Sequence, residues 1–461
     1  MSSHEILTLT LLVGYFALIT LWGIRRTSQH ALGRLTSRLY LTAEGGVGAL
    51  LCSLSLVSTI IGGSATLGID TLVAKNGAAA FWWLGVGAIG LWLHAFWVVP
   101  RIRQMRAVTL PEVVQTYAGP LGLKWSAIII ALSWVAITAA QFVALHKVLV
   151  SILPETVSQF CYWLAVITIL WHVAQGGQRS VIRTDAVQAV FLLLGFTAAT
   201  FWVVQSSSAQ VSTMDWVPFN EHFGALDWLQ LFFLVGITYA VGPDMFSRTF
   251  SAKNATTAKK AAQVASPILV FFSICIVLLC LLSPGFEQSI ASWVTPASPL
   301  PVVIKMLMIL GLVSALAGSA DTVLLSASGI VARDIVGNKS VALIRWLVVA
   351  FGLVAAMMIY MDKNIIGLLL KGYSFFVPGV AIPLLVSLIL PHQAPNRRLW
   401  LIGSFLGGAF GVLSVVLSLS YLTYIGMAFG ALGAFLAWQV GPSSVAERKA
   451  YAENFQTSSA L

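Results

Sequence analysis

The sequence predicts an all-α polytopic membrane protein with about 13 transmembrane helices, and three observations support this fold class. The 461 residues are 58% hydrophobic and only 9% charged, whereas soluble domains carry about 25% charged residues. Apolar stretches of about 20 residues, long enough to cross a bilayer as helices, recur along the chain. Basic residues alternate between dense and sparse loops, as they do in multispan proteins. A soluble fold of this size could not cover its surface with so few charges.

The apolar stretches give the helices in chain order. The first, 5–24, is followed rather than preceded by basic residues, which argues against a cleaved signal peptide. The others fall at approximately 44–72, 77–99, 122–150, 158–175, 181–205, 228–247, 261–283, 302–332, 340–360, 364–390, 397–420 and 422–440.

These spans divide the chain into six parts. We expect a first helix with a basic loop (1–43), five spans (44–205), an external loop (206–227), five more spans (228–390), two extra helices (391–440) and a tail (441–461). The tail is short and polar, and we expect it to be poorly ordered.

The net charge of +10 is an orientation signal. Of the 26 Lys and Arg residues, 21 fall in one set of alternate loops, among them Arg248 and Arg333. Since basic loops stay in the cytoplasm, the amino terminus is predicted to be external and the carboxy terminus cytoplasmic. The charge therefore does not indicate a nucleic-acid partner, and we place the protein in the plasma (inner) membrane.

Two spans contain helix-breaking residues in their middle. The second span carries Gly62 and Gly63 among Ser and Thr residues, and the seventh carries Gly236, Gly242 and Pro243. The two spans are five apart, so they begin two blocks of opposite orientation. Paired interrupted helices in inverted repeats are typical of secondary transporters with a binding site at the bilayer midplane. The alternative is that these residues only allow close helix packing.

Ionisable residues inside spans are rare and are functional hypotheses. Asp185 either binds a cation or pairs with Arg179 or Arg183 in the preceding loop. Asp321 either binds a cation or accepts helix-end hydrogen bonds. Lys371 either offers its charge to a substrate carboxylate or extends outward to the membrane surface.

No cluster of Cys, His or acidic residues has the spacing of a metal site. We expect no cofactor, and no metal other than a coupling ion.

Five motifs between about residues 44 and 390 resemble, in order, those of the sodium:solute symporter family. They are SLSLVSTIIGGSATLG, PRIRQMRAVTLPEVVQTYAG, GGQRSVIRTDAVQAVFLLLG, SRTFSAKN and SALAGSADTVLLSASGIVARDI. The resemblance implies a LeuT-type fold, with two inverted five-helix repeats plus one amino-terminal and two carboxy-terminal extra helices. It also implies solute uptake driven by Na⁺.

The resemblance also implies a principal sodium site. The ligands would be the carbonyls of Val57, Ile60 and Ala315 and the hydroxyls at positions 318 and 319. Ser319 fits, but Gly318 stands where the family usually has Ser. A water could replace the missing hydroxyl, since Gly leaves room, or coupling could have shifted to protons.

Some family members hold a second cation, and the resemblance places its ligands here at Asp185, Asp321 and Thr322.

The leading hypothesis is therefore a secondary active transporter that symports Na⁺ and a small polar solute, such as an amino acid, a carboxylate or a sugar-like molecule. The candidate pocket residues are Thr59, Gly63, Ser64, Thr238, Tyr239 and Lys371. Proton coupling is the nearest alternative. A membrane-embedded enzyme would need a catalytic constellation that the spans do not show, and the short tail disfavours a solute sensor. The expected partners are the solute, Na⁺ and the bilayer, without an obligate protein partner.

Overall fold

A computed structural model describes residues 3–25, 36–105, 107–206, 216–282 and 289–455. This part of the chain is helical apart from its connections, and its only extended pairings are two isolated bridges. The predicted all-α class is confirmed.

Twenty α-helices follow one another in these residues, some joined by a single 3₁₀ or π turn. They are α1 Ser3–Arg25, α2 Ser37–Thr42, α3 Ala49–Ile60, α4 Gly63–Thr66, α5 Ile69–Asn76, α6 Trp82–Leu93, α7 Val99–Ile102, α8 Leu110–Ile152, α9 Glu155–Ser206, α10 Ala225–Leu231, α11 Ile237–Val241, α12 Pro243–Ser251, α13 Ala255–Leu281, α14 Val302–Ile330, α15 Val341–Met357, α16 Ile365–Phe376, α17 Ile382–Ile389, α18 Arg397–Leu417, α19 Tyr421–Val440 and α20 Val445–Phe455.

Ten helical segments of the described chain are long and apolar enough to cross a membrane. Two shorter apolar helices, Glu5–Leu21 and Ala49–Ile60, accompany them. The count of thirteen spans stays a prediction.

Two glycines with positive φ divide the longest helices into arms. Gly177 (φ 60°) kinks the 52-residue α9 between the predicted fifth and sixth spans. A side chain there would lie 2.7 Å from the Tyr40 ring, so only glycine fits this bend. Gly119 (φ 69°) separates the first arm of α8 from the arm that begins with Pro120.

Helix α14 is the centre of the fold. Every residue from Gly311 to Ile330 is buried, because α14 packs against α3, α8 and α9. A helix that is apolar and buried on all sides is an axis around which the others are arranged. Helices α18 and α19 pack mainly on each other, away from α14.

The tail differs from the prediction. Residues 445–455 form α20, and Tyr451 is buried with its ring 6.0 Å from that of Tyr117 on α8. This aromatic contact orders a segment that its polar composition did not favour. Residues 207–215 of the predicted external loop and 456–461 of the tail lie outside the described part, so the expectations for them stay predictions.

Candidate ion and substrate site

The first interrupted helix breaks where the glycines are. Helix α3 ends at Ile60, Gly62 is extended (φ −107°, ψ −156°), and α4 begins at Gly63. A break leaves amides without helical partners. The side-chain oxygen of Gln141 on α8 accepts a hydrogen bond from the Gly63 amide at 2.7 Å. The predicted break is confirmed, and Gln141 is the residue that satisfies it.

The second interrupted helix breaks at Gly242, which is extended (ψ 147°) between α11 and α12. Pro243 starts α12, where its missing amide costs nothing. The buried His94 ring bridges the break, since its two nitrogens lie 2.7 Å from the Ala240 carbonyl and 2.7 Å from Thr249 Oγ1. This break is also confirmed.

The sequence predicts Arg248 in a cytoplasmic loop with other basic residues. It lies instead on α12, inside the fold, and is 1% exposed. Its Nη2 donates to Asp185 Oδ2 at 2.7 Å and to Thr59 Oγ1 at 2.9 Å, and its Nε donates to Ser55 Oγ at 3.0 Å. Thr322 Oγ1 also lies within hydrogen-bonding distance of Nη2, so the two hydrogens of Nη2 are shared among three oxygens. A buried guanidinium persists only when its donors are satisfied in this way.

Asp185 therefore pairs with Arg248, and not with Arg179 or Arg183 as the alternative expected. Arg179 lies near Glu44 instead, at 3.7 Å. Ser55 Oγ also donates to Asp185 Oδ2, at 2.5 Å.

The structure brings together Asp185, Asp321 and Thr322, the residues of the implied second cation site. Arg248 already binds two of them, Asp185 and Thr322. Thr322 Oγ1 lies 3.2 Å from Thr59 Oγ1 and 3.5 Å from Asp321 Oδ1.

Of the residues of the implied principal sodium site, Ser319 lies against the end of α3 that carries Val57 and Ile60. Ser319 Oγ donates to the Thr59 carbonyl at 2.7 Å, which places α14 against the carboxy-terminal end of α3. There the Val57 and Ile60 carbonyls accept backbone hydrogen bonds from residues 61 and 62 at 2.9 and 3.0 Å, and each keeps a second lone pair. Such a helix end is partly negative and attracts a cation. Ala315 is buried one turn before Ser319 on α14.

Gly318 leaves no room for a side chain, and the expectation that a water replaces the missing hydroxyl stays a prediction. The place of its absent Cβ is crowded by three side-chain oxygens: Ser58 Oγ is the closest, with Gln188 Oε1 at 2.8 Å and Asp185 Oδ1 at 3.2 Å. The glycine is needed because these oxygens approach the α14 backbone.

Five of the six candidate pocket residues are buried, and their contacts lie in different parts of the fold. Thr59 belongs to the Arg248 network. Gly63 packs against Ala144 and Leu316, and Ser64 is 2% exposed. On α11, Thr238 donates to the carbonyl of residue 234 at 2.8 Å, and the Tyr239 ring covers Gly87 on α6.

Lys371 is not brought to the site. Its side chain is 51% exposed and donates to Asp362 Oδ2 at 2.8 Å. The long side chain reaches outward from α16, so we remove Lys371 from the candidate pocket.

A cavity of about 790 Å³ opens at one end of the fold, between Ser37, Glu112 and Arg333. Arg333 donates to Ser37 Oγ and to Glu112 Oε1, both at 2.7 Å. A smaller space next to this cavity reaches Ser247, the neighbour of Arg248.

Sequence reasoning missed two residues of this centre, Arg248 and Gln141. Gln141 is a polar residue within an apolar stretch, which was the available signal. Arg248 gave a misleading signal, because it stands in a basic run at the end of a span.

Comparisons with known proteins agree with this architecture. The profile of the sodium:solute symporter family matches residues 40–407. The sodium-dependent multivitamin transporter of Oryctolagus cuniculus is 24% identical over 284 residues, which cover 57% of this chain and 42% of that protein. This chain thus matches less than half the length of that relative. The high-affinity choline transporter 1 of Torpedo marmorata is 26% identical over 422 residues, 82% of this chain and 70% of that protein.

A solved structure shares the fold. A Na⁺-coupled sialic acid symporter, in a substrate-bound outward-open state, superposes with a TM-score of 0.73 over 94% of this chain and 98% of its own, at 14% identity. The predicted LeuT-type fold is confirmed by this likeness.

Proposed function

Because the chain belongs to the sodium:solute symporter family, matched over residues 40–407, we propose that it is a secondary active transporter that couples Na⁺ entry to the uptake of a small polar solute. The solute class is an amino acid, a carboxylate or a sugar-like molecule. The relatives are named for a vitamin, choline and sialic acid, so their names do not select one solute for this chain.

The contact of Ser319 with the end of α3 carries this proposal. The hydroxyl of Ser319 lies 2.7 Å from the Thr59 carbonyl, among the carbonyls that the break of α3 leaves at a helix end. A Na⁺ ion between α3 and α14 would link the interrupted helix to the central helix. Sodium binding would then favour one arrangement of these two helices over another, and this is how an ion can drive a conformational change.

Alternating access would occur by movement of the interrupted helices against α8, α9 and α14. In this scheme the cavity of about 790 Å³ beside Arg333 is the cytoplasmic exit. The basic residues around it, Arg38, Arg333 and Lys339, agree with a cytoplasmic position. We place the amino terminus outside and the protein in the plasma (inner) membrane.

Proton coupling is the second candidate function, and Asp321 favours it. This carboxyl group is 2% exposed and has no ion pair among the residues that the structure describes. A buried, unpaired carboxyl group can be neutralised by a proton instead of a metal ion.

Uptake by purified protein in liposomes tests the proposal. A thermal-shift screen of solutes, with and without Na⁺, first identifies a solute that stabilises the protein. We expect an inward Na⁺ gradient to drive accumulation of that solute, and a pH gradient alone not to. Counterflow of labelled solute excludes an enzyme or a sensor.

Ser319→Ala is the specific variant, and Ser326→Ala is its control on the same helix, since Ser326 is also buried and its hydroxyl has no partner. We expect Ser319→Ala to raise the Na⁺ concentration for half-maximal uptake about tenfold, equivalent to about 1.4 kcal/mol of lost binding. Ser326→Ala should leave it unchanged. Wild-type uptake that does not depend on Na⁺ would contradict sodium coupling and favour proton coupling.

A further inference from the structure

Asp244 is an acidic residue inside a span, and it has no ion pair among the described residues. It follows the break at Gly242 and belongs to the first turn of α12, within the apolar segment Ala225–Ser251. The partly positive start of a helix favours the ionised form of such a carboxyl group. Ionisable residues in spans are rare and mark functional sites, so Asp244 is a candidate ligand-binding group.

Arg248, one turn further along α12, is not the partner of Asp244. Its Nη2 donates to Asp185 and Thr59, and its Nη1 donates to Ser247 Oγ at 3.0 Å. These bonds direct the guanidinium to α3 and α9.

The side-chain contact that Asp244 does have is with a neutral donor. Trp134 Nε1 on α8 donates to Asp244 Oδ1 at 2.6 Å. A carboxylate can accept about four hydrogen bonds, and a neutral indole does not compensate its charge. A positively charged ligand would do so.

Asp244 also keeps accessible surface at this depth. It is half-buried, whereas Pro243 and Met245 on either side of it are buried. Charged residues in spans face the bundle interior or a water-filled cavity, and not lipid. A polar ligand in the interior can therefore reach this carboxylate.

The Trp134 ring forms one wall beside Asp244. Its indole lies 3.8 Å from the Cβ position of Gly242, so the ring covers the break. It packs edge-to-face on Phe376 of α16, with the ring centroids 4.8 Å apart. Trp134 is 1% exposed and Phe376 is fully buried, so this wall is fixed by packing.

Two tyrosines add further rings from other helices. Tyr239 on α11 and Tyr373 on α16 interact through their hydroxyls, and both lie within electrostatic range of Asp244. Both are buried. Aromatic rings from α8, α11 and α16 thus lie near one carboxylate at the second interrupted helix.

We propose that Asp244 and the rings of Trp134, Tyr239 and Tyr373 bind an ammonium group of the solute. The negative face of an aromatic ring attracts an ammonium group, and the carboxylate neutralises its charge. Na⁺ fits less well, because it prefers a shell of oxygen ligands and most of these groups are rings. The inference rests on the proposed function and narrows its solute to an amino acid or another organic ammonium compound.

Thermal stabilisation of the purified full-length protein in Na⁺ tests the site with defined probes. The ammonium probes are tetramethylammonium, trimethylglycine and the proteinogenic amino acids. Their counterparts without the charged nitrogen are tert-butanol, 3,3-dimethylbutanoate and the corresponding carboxylic acids. We expect at least one ammonium probe to raise the melting temperature and its counterpart not to. The pattern of active probes separates quaternary from primary ammonium groups.

Asp244→Asn is the specific variant, because it keeps an acceptor for Trp134 Nε1 and removes the charge. We expect the probe concentration for half-maximal stabilisation to rise at least about tenfold. The melting temperature without a probe should not fall, since the removed charge had no partner. Asp70→Asn is the matched control: Asp70 is also buried in the first turn of a short helix after a break, but Lys147 lies 3.9 Å from it. It should change the probe concentration less than about twofold.

Two variants of Tyr373 keep the test decisive if Asp244→Asn does not fold. Tyr373→Phe retains the ring, and we expect it to bind the probe within about threefold of the wild type. Tyr373→Leu removes the ring and should weaken binding at least about fivefold. Equal binding by these two variants would contradict recognition by the ring.

The outcomes separate this site from the proposed function. Sodium-driven uptake of a solute without an ammonium group would leave the proposed function intact and overturn this site. Stabilisation by no ammonium probe, or unchanged binding by folded Asp244→Asn, would also overturn it. A lower melting temperature of Asp244→Asn with unchanged binding would assign Asp244 to the fold instead. Probe binding that needs Asp244, without sodium-driven uptake of any probe, would overturn the proposed function and leave the site.

Discussion

Arg248 links four helices at the centre of the fold. Its guanidinium is 1% exposed and joins α12 to Ser55 and Thr59 on α3, Asp185 on α9 and Thr322 on α14. A buried ion pair contributes little net stability, but the loss of one partner leaves a buried charge without compensation.

We predict that Arg248→Gln lowers the free energy of unfolding by about 3–5 kcal/mol. Adding Asp185→Asn should restore part of this loss, because the carboxylate that loses its guanidinium partner is then removed as well. Arg179→Gln is the control, since Arg179 is 34% exposed and its pair with Glu44 is long, at 3.7 Å; such pairs contribute about 1 kcal/mol or less. Thermal unfolding in detergent measures all three. Equal melting temperatures for Arg248→Gln and Arg179→Gln would contradict the role of the network.

Lys371 and Asp362 form a surface pair outside the site. Although burial tends to raise the pKa of Asp362, hydrogen bonds from Lys371 and from the Asn364 backbone outweigh it, so the pKa lies below its ordinary value. A lowered carboxyl pKa stabilises the fold above the unfolded-state pKa of about 3.9. The contribution is lost as the pH falls through the folded-state value.

For Lys371→Met we predict an unchanged solute concentration for half-maximal uptake, since Lys371 does not reach the interrupted helices. The melting temperature at pH 7 should fall only slightly, because exposed pairs contribute about 1 kcal/mol or less, and this difference should shrink in acid. A large loss of solute affinity would return Lys371 to the pocket.

At the scale of helices, the interruptions were predictable and their partners were not. Gly62, Gly242 and Pro243 break helices through backbone properties that act locally, so the sequence alone showed where α3 and α11 end. The groups that satisfy the breaks, Gln141 and His94, come from α8 and from the turn after α6, and only the packing of distant segments brings them there.

Helix α6 closely approaches the π turn Phe232–Gly236, which leads into α11, at a pair of glycines. A Cβ at Gly90 would collide with the carbonyl of Gly236, whose carbon would be 3.0 Å away. Gly14 on α1 has no atom within 4 Å of its Cβ position.

We predict that Gly90→Ala costs about 1–3 kcal/mol of stability through overpacking and slows uptake, because the added methyl group pushes α6 away from the second interrupted helix. Gly14→Ala should be neutral or stabilising by up to about 1 kcal/mol, as alanine favours helix. Melting temperature and initial uptake rate are the measurements. Equal behaviour of the two variants would show that the close contact of α6 with α11 is not needed.

At the scale of the whole molecule, composition and hydropathy predicted most of the fold. Residues 44–390 carried the motifs, and the all-α class followed from the apolar stretches. The site was predicted less completely. Ser319 contacts the Thr59 carbonyl at the end of α3, while the sodium ligands implied by the resemblance stay a prediction. The burial of Arg248 was not predictable from a basic run, because hydropathy does not record which charges have buried partners.

The orientation of the chain is still a prediction, and the four cysteines make it testable because all are buried. Met361 and Val445 are 84% and 85% exposed and lie at predicted opposite faces. We expect a membrane-impermeant maleimide to label Met361→Cys in intact cells and to label Val445→Cys only after permeabilisation. The reverse pattern would invert the topology.

The network around Arg248 also bears on how fast the protein can work. If α3 and α12 move against α9 and α14 in each transport cycle, several charge-assisted hydrogen bonds must open together in a place that water does not reach. Such an opening has a large activation enthalpy, so turnover should rise steeply with temperature, more steeply than sodium binding does. Opening of the Arg248 network would then limit the rate of the transport cycle. The arginine that stabilises the fold would also determine the turnover rate.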